Sequence, residues 1–234
     1  NRLKKQIDEL KFKNPIFIVG SAHIYPILKD LKAKNIIYHC SDDYSLVPSF
    51  PRSFNSIERR LMKASDLVVT TANSLKKAKE PYNPNTVSIR NGVDIKHFKL
   101  TQHVNTTIHK DLNIFSKPII GYIGTVFIWI DQDWIEFAAK KNKDYNFVFI
   151  GPITTNISKI SRLKNVTFLG PRPYELLPTI LKGFSVAIIP FVIDGVTKKA
   201  SPIKFYEYLA SGIPIVSTEL EDLKDFRDIV YLVK

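Results

Sequence analysis

Short apolar segments alternate with amphipathic ones along almost the whole chain. Consecutive residues of these segments are apolar, so both faces of each strand are apolar, as expected of strands buried on both faces of a sheet. The candidate strands are residues 16–19, 36–40, 67–70, 86–89, 119–124, 147–151, 166–170, 186–190, 213–217 and 229–233. Candidate helices are residues 1–11, 24–33, 54–64, 72–79, 132–141, 173–182 and 202–211. Strands that alternate with helices typically pair in parallel, so the sequence predicts an α/β fold with covered parallel sheets.

A polar stretch near residues 95–117 separates the strands into two groups. We predict two Rossmann-like domains: residues 1–97 as the C-terminal part of an N-terminal domain, 98–116 as a linker, and 117–234 as the C-terminal domain. Open parallel sheets bind ligands at the carboxyl ends of their strands. The expected ligand site is therefore a cleft between the two sheets.

The two ends of the sequence suggest a piece of a longer protein. The chain begins at Asn1 without an initiator methionine, and it ends on a strand-like segment at residues 229–233. We therefore expect truncation at both ends and an incomplete first domain.

The charge of the chain limits its partners. The formal net charge is +12, and residues 1–100 contribute +9 of it, with 18 Lys and Arg against 9 Asp and Glu. Such a surface fits nucleic acid, an acidic polysaccharide or an anionic membrane, or it is simply a solvated lysine-rich surface. The sequence has no zinc-ligand spacing, helix-turn-helix signal or RNA-binding pattern, so we expect no nucleic-acid partner.

Cysteine content and hydropathy bear on the compartment. The single cysteine, Cys40, excludes an internal disulfide. No apolar run reaches the roughly 18 residues that span a bilayer. We expect a cytoplasmic protein, with peripheral contact to an anionic membrane at the inner face of the plasma membrane as one option.

The segment SPIKFYEYLASGIPIVST at residues 201–218 carries the most specific local signal. Ser201 is a suitable N-cap and Gly212 a suitable end for a short helix. Lys204 then lies in the first turn, where the partial positive charge of the helix disfavours a cation unless an anion is shared. Glu207 follows on the same helix face, so the two side chains can contact each other and one ligand. An ordinary solvated lysine or a surface ion pair explains the spacing equally well.

Other candidate groups follow predicted strands. Gly121 and Gly124 allow close approach of a ligand to the backbone, or they serve only tight strand packing. Arg172 and Tyr174 follow the strand at 166–170, where a base or a sugar could lie, or they belong to a plain proline-rich turn. Lys199 is in the loop before the 202–211 helix, where its charge could help to hold a diphosphate.

Two adjacent carboxylates follow the strand at residues 36–40. Asp42 and Asp43 are plausible general bases or acceptors for sugar hydroxyls. Either of them could instead cap the next turn. No cluster of carboxylates suggests a metal site.

Several segments together resemble bacterial glycosyltransferases of the GT-B fold, most closely the family 4 type and related exopolysaccharide enzymes. They are residues 58–75, 89–98, 118–126, 165–181, 186–191 and 201–218. The resemblance implies a nucleotide-sugar co-substrate in the C-terminal domain, an acceptor in the N-terminal one, and no requirement for a metal or other cofactor. It also implies that Glu207 is the second glutamate of the family's E-x7-E motif and binds the donor ribose.

The sequence departs from that family pattern at two places. Lys199 occupies the position of the first glutamate, and residues 125–135 lack the arginine and lysine that many members carry there. Lys204 is then the expected diphosphate ligand and catalytic cation, with Ser201 beside it, while Asp42 or Asp43 falls where some relatives have a catalytic or acceptor-binding acid. Whether the anomeric configuration is retained or inverted stays open.

We expect a hexosyltransferase that moves a sugar to a glycan or a lipid-linked acceptor in cell-surface polysaccharide synthesis. Two alternatives remain open at this point: a nucleotide-sugar epimerase or phosphorylase of the same fold, and a non-catalytic GT-B-like domain that binds a nucleotide or an anionic glycan.

Overall fold

The structure is a computed structural model that describes residues 2–44, 51, 53–195 and 197–233. Its strands are β1 (Phe17–Val19), β2 (Ile36–Cys40), β3 (Leu67–Thr70), β4 (Thr86–Ser88), β5 (Ile119–Ile123), β6 (Asn146–Ile150), β7 (Val166–Phe168), β8 (Val186–Ile189), β9 (Ile215–Thr218) and β10 (Tyr231–Val233). Its α-helices are α1 (Arg2–Glu9), α2 (Tyr25–Asp30), α3 (Ser53–Ala64), α4 (Asn73–Lys79), α5 (Ile95–Lys99), α6 (Gln132–Lys141), α7 (Leu177–Leu181) and α8 (Ile203–Ser211).

The described strands form two sheets, and their ladder pairings are parallel. The first sheet has the order β1-β2-β3-β4, and the second has the order β10-β9-β8-β5-β6-β7. In the second sheet the chain runs outward from β5 through β6 and β7, then crosses to β8 and runs the other way. This is the doubly wound order, in which ligands bind at the carboxyl ends of the strands where the direction reverses. The predicted α/β fold is confirmed.

The chain folds into two compact units. One comprises Asn1–Arg90 with Lys198–Ser201, and the other comprises Asn91–Thr197 with Pro202–Lys234. The first division in the chain therefore comes after Arg90, earlier than the predicted boundary between residues 97 and 98. The interval 98–116, expected as a linker, lies inside the second unit.

Each unit has its own apolar core. In the first unit, α3 directs Phe54, Leu61 and Met62 toward β2 and β3, because these positions share one helix face. In the second unit, β5 and β6 are buried along nearly their full length, and helix α8 adds Phe205 and Tyr208 to the same core.

Several local expectations differ from the structure. Helix α5, which was not among the predicted helices, lies at the start of the polar stretch at residues 95–117. It begins at an Asp94 cap whose carboxylate accepts the His97 N–H at 3.0 Å. Helix α8 begins one residue later than expected, because Pro202, with ψ of 124°, is the N-cap and Ser201 precedes it. Gly212 ends α8 with φ of 72°, as predicted.

Candidate functional site

A pocket of about 280 Å³ opens at the carboxyl ends of β5 and β6 in the second unit. The loop after β7 and the first turn of α8 complete its wall. Its lining residues are Ile123, Gly124, Thr125, Ile150, Gly151, Pro152, Pro171, Arg172, Tyr174, Leu177 and Lys204. Four residues predicted from the sequence thus line one pocket, at the place where a doubly wound sheet binds its ligand.

Two glycines form the floor of this pocket. Gly124 follows β5 and Gly151 follows β6. Their φ angles are 151° and 145°, which residues other than glycine rarely adopt. A Cβ on Gly151 would lie 2.1 Å from the carbonyl oxygen of Gly124, so the two strand ends meet backbone to backbone. Gly151 was not predicted from the sequence, although its position directly after an apolar strand matches that of Gly124.

Lys204 supplies a positive charge to the pocket. Its Nζ lies 2.9 Å from Oε2 of Glu207, and the two side chains are 23% and 7% exposed. The pair lies on α8, which is fixed to the end of β5 because the hydroxyl of Tyr208 accepts the Ile123 N–H at 2.9 Å. A lysine ammonium has three donors, so Lys204 can keep Glu207 and still face an anion near the start of the helix.

Arg172 is held by other protein groups. Its Nε and Nη2 donate to Oδ2 of Asp111 at 2.9 and 2.5 Å, and its Nη1 donates to the Leu169 carbonyl at 2.6 Å. The hydrogen bonds from Arg172 lower the pKa of the Asp111 carboxyl. Asp111 lies in the 3-10 turn Lys110–Leu112 and was not singled out in the sequence.

Tyr174 stands at the edge of the same pocket. Its ring stacks on that of His97, with 4.4 Å between centroids and 14° between planes, and His97 Nε2 lies 3.0 Å from the Tyr174 carbonyl oxygen. Desolvation, followed by the charges of Glu207 and Asp94, raises the pKa of the Tyr174 hydroxyl. One ring face is thus occupied by His97.

Gly121 does not line the pocket. It is buried within β5, and a Cβ at this position would lie about 2.0 Å from the ring of Phe184. The structure therefore matches the alternative interpretation of Gly121, tight packing in the sheet. Of the two predicted glycines, Gly124 lines the pocket and Gly121 does not.

The first unit contains a buried charge network at the carboxyl end of β2. Lys79 Nζ lies 2.9 Å from Oε2 of Glu58 and 3.4 Å from Oδ1 of Asp43, and all three side chains are at most 6% exposed. The Tyr38 hydroxyl donates to the other oxygen of Glu58 at 2.9 Å. Asp43 was a candidate from the sequence, but Lys79 and Glu58 were not, because a buried lysine and a buried glutamate look like ordinary surface residues of a helix.

Lys199 belongs to the same network. Its Nζ lies 2.6 Å from Oδ2 of Asp43, within the unit that includes residues 198–201. The two lysines balance the charges of Asp43 and Glu58. Ser201, also expected in the donor site, is buried in this short segment.

Asp42 differs from its neighbour. Burial, and then the negative charge of Asp43, raises the pKa of Asp42 to about 6. A carboxyl group with this pKa is mostly deprotonated at neutral pH yet is a stronger base than an ordinary aspartate, which suits general-base chemistry.

Neither a metal-binding cluster nor a membrane-spanning helix is found in the described part of the chain. No group of three or more His, Cys, Asp or Glu side chains there is arranged to hold a metal ion. Among the same residues, no helix combines the length and the apolar character required to cross a bilayer.

The second unit is thus a doubly wound α/β unit with a cationic, glycine-floored pocket at its strand ends, the class of fold that binds nucleotides. Residues 117–231 match the family model described as Glycosyl transferases group 1. In this segment, which is just under half of the chain, the protein is similar to the group 1 glycosyltransferases.

A curated relative and several solved structures are similar to this chain. TuaH of Bacillus subtilis (strain 168), named as a teichuronic acid biosynthesis glycosyltransferase, is 25% identical over 84% of this chain and 53% of its own length. Anabaena HepE in complex with UDP-glucose aligns with a TM-score of 0.73 at 14% identity, over 94% of this chain and 64% of HepE. The trehalose 6-phosphate synthase of Burkholderia multivorans gives 0.72 at 14% identity, over 100% and 63%. The chain spans about half the length of TuaH and less than two thirds of the length of these structures.

Proposed function

We propose that the protein is a glycosyltransferase that moves a sugar from a nucleotide-sugar donor to a glycan or a lipid-linked acceptor in cell-surface polysaccharide synthesis. The observation that carries this proposal is the pocket of the second unit, where Lys204, the start of α8 and two glycine backbones converge. We further propose a uridine diphosphate sugar as the donor. HepE was solved with UDP and with UDP-glucose, and TuaH is named for the synthesis of a polysaccharide.

In this proposal the pocket stabilises the departing nucleoside diphosphate. Charge develops on the phosphate oxygen as the bond to the sugar breaks, and the Lys204 ammonium and the first N–H groups of α8 offset it. Gly124 and Gly151 let the diphosphate approach the backbone closely, because neither carries a side chain. Glu207 can accept hydrogen bonds from the donor ribose, as the family resemblance implies.

We propose that the first unit is the C-terminal part of an acceptor-binding domain and that Asp42 is its general base. Asp43 has its two oxygens close to Lys79 and Lys199, and these contacts suit a structural role. Asp42, with its pKa raised to about 6, is the stronger base of the two. It would take the proton from the acceptor hydroxyl as that oxygen attacks the sugar.

Peripheral contact with an anionic membrane is a further part of the proposal. Helix α1 has Leu3 and Ile7 at a spacing that places them on one side, and Leu10 follows in the turn after the helix. None of the helix residues is buried, and the segment has lysines at positions 4, 5, 11 and 13. Such a helix can lie on an anionic surface. Co-sedimentation with vesicles containing phosphatidylglycerol at low salt tests it, and a protein that stays in the supernatant contradicts it.

One experiment separates the proposed transferase from its two alternatives. The full-length protein is incubated with radiolabelled UDP-sugars, with and without a membrane-lipid extract as the acceptor source. A transferase moves the label into the lipid or glycan fraction only when acceptor is present. An epimerase would convert one UDP-sugar into another without acceptor, and a binding domain would retain the nucleotide without any conversion; either result would refute the proposal.

A further inference from the structure

The hydrogen bonds of Arg172 bear on how the donor pocket is built. An arginine that lines a proposed diphosphate pocket would ordinarily be expected to bind phosphate. Here its Nε and Nη2 both reach Asp111, and its Nη1 donates to the carbonyls of Leu169 and Pro171 at 2.6 and 2.9 Å. Contacts to protein groups thus use all three guanidinium nitrogens.

These contacts close the loop that follows β7. Arg172 donates to carbonyl groups on both sides of Gly170, whose φ of 71° makes the turn. The Gly170 carbonyl in turn accepts the N–H of Gly151 at 3.0 Å, and Gly151 is one of the two glycines of the pocket floor. A continuous chain of hydrogen bonds therefore joins Asp111, Arg172, the loop and the floor.

Asp111 is well suited to anchor this series of hydrogen bonds. It lies 61 positions before Arg172, on a 3-10 turn whose Leu112 is buried in the core of the second unit. The pair is partly shielded, with side chains 24% and 27% exposed. An arginine that shares its fork between a carboxylate and two carbonyls is held in one geometry, which a lysine could not reproduce.

We propose that Asp111 and Arg172 are positioning residues that hold the Gly170 loop and the Gly151 backbone in the shape that receives the nucleotide, and that Arg172 does not bind the diphosphate. This inference rests on the proposed function, because the pocket that Asp111 and Arg172 support is the proposed donor pocket. It makes Lys204 the side chain that discriminates a nucleoside diphosphate from a nucleoside. Pre-organisation of the pocket then contributes to the affinity for the nucleoside part as well.

The test compares UDP with uridine, which lacks the phosphates, by calorimetry on the full chain. We expect Asp111→Asn, Arg172→Gln and Arg172→Lys each to weaken both ligands by the same factor, about 10-fold. The double variant Asp111→Asn/Arg172→Gln should be no worse than either single one. Asp144→Asn, which removes an exposed ion pair with Lys117 in the same unit, is the matched control and should change neither affinity.

A role of Arg172 as phosphate ligand gives the opposite pattern. UDP binding would fall while uridine binding stayed unchanged, Arg172→Lys would retain most of the affinity because it keeps the charge, and Asp111→Asn would have no effect. This pattern would overturn the inference.

Hydrogen exchange gives a second readout that needs no ligand. Asp111→Asn should speed exchange of the Gly151 amide by about 10-fold relative to both the wild type and Asp144→Asn. Unchanged exchange at Gly151 would refute the positioning role even if the protein bound no nucleotide. Absence of UDP binding to the wild type, with faster exchange in the variant, would contradict the proposed function and leave the positioning pair established.

Discussion

Replacing Lys204 with methionine is the most direct perturbation of the proposed donor site. The side chain lines the pocket, and its ammonium is 2.9 Å from Glu207, so the variant removes one positive charge at a place that is 23% exposed. At an effective dielectric constant of about 20, an ammonium about 4 Å from a phosphate charge gains about 4 kcal/mol. Desolvation offsets part of this, and hydrogen bonds to charged groups contribute about 1.5–3 kcal/mol net.

That range corresponds to a loss of about 10- to 150-fold in affinity for UDP. Uridine has no phosphate and should bind Lys204→Met as it binds the wild type. Calorimetric titrations of both ligands at low and high salt measure the difference, which should shrink as salt screens the charge.

The partner of Lys204 complicates the interpretation, and a double variant resolves it. Without the ammonium, the carboxylate of Glu207, only 7% exposed, would repel a diphosphate. Lys204→Met/Glu207→Gln removes that repulsion, but it also alters the ribose contacts proposed for Glu207. The affinity that UDP recovers relative to uridine therefore measures the repulsion. Lys140→Met removes the lysine of an exposed pair with Glu136 and should have no effect. Equal losses for UDP and uridine would refute the assignment of Lys204 to the diphosphate.

The further predictions concern the glycine floor, the charge network and the proposed base. Gly151→Ala puts a methyl group against the Gly124 carbonyl at a φ of 145°, so the variant should lose about 1–3 kcal/mol of unfolding free energy in chemical denaturation; an unchanged midpoint would contradict the described backbone. Lys79→Met leaves two buried carboxylates with one cation fewer and should cost about 3–5 kcal/mol, whereas Lys76→Met, in an exposed pair, should cost well under about 1 kcal/mol. Because the proposed base must be deprotonated and the pKa of Asp42 is about 6, kcat/KM should rise as the pH increases through about 6, and Asp42→Asn should abolish turnover without unfolding the chain. The same raised pKa means that the folded state binds the proton more tightly than the unfolded state. The unfolding free energy should therefore fall as the pH rises from about 4 to about 6. A pH-independent denaturation midpoint over that interval would argue against the shift.

The sequence determined the elements and one pair of site residues. Strand positions followed from apolar runs, since residues buried on both faces of a sheet must be apolar throughout. The end of α8 followed from Gly212, because the left-handed backbone conformation that ends a helix favours glycine, which has no Cβ. The contact of Lys204 with Glu207 was predictable because residues three apart on a helix are neighbours. All of these are properties of a few consecutive residues.

Only the tertiary structure decided which strand ends meet and which charges pair. Gly151 lies against Gly124 because β6 pairs with β5 in a specific register. Gly121 faces the ring of Phe184, which precedes β8, the neighbour of β5 on its other side. Arg172 pairs with Asp111 at a separation of 61 positions, and Lys199 pairs with Asp43 at a separation of 156. A single sequence carries no local signal for such contacts, because a charged residue reads alike in solvent and in a buried pair. Its partner is set by how the strands and helices pack.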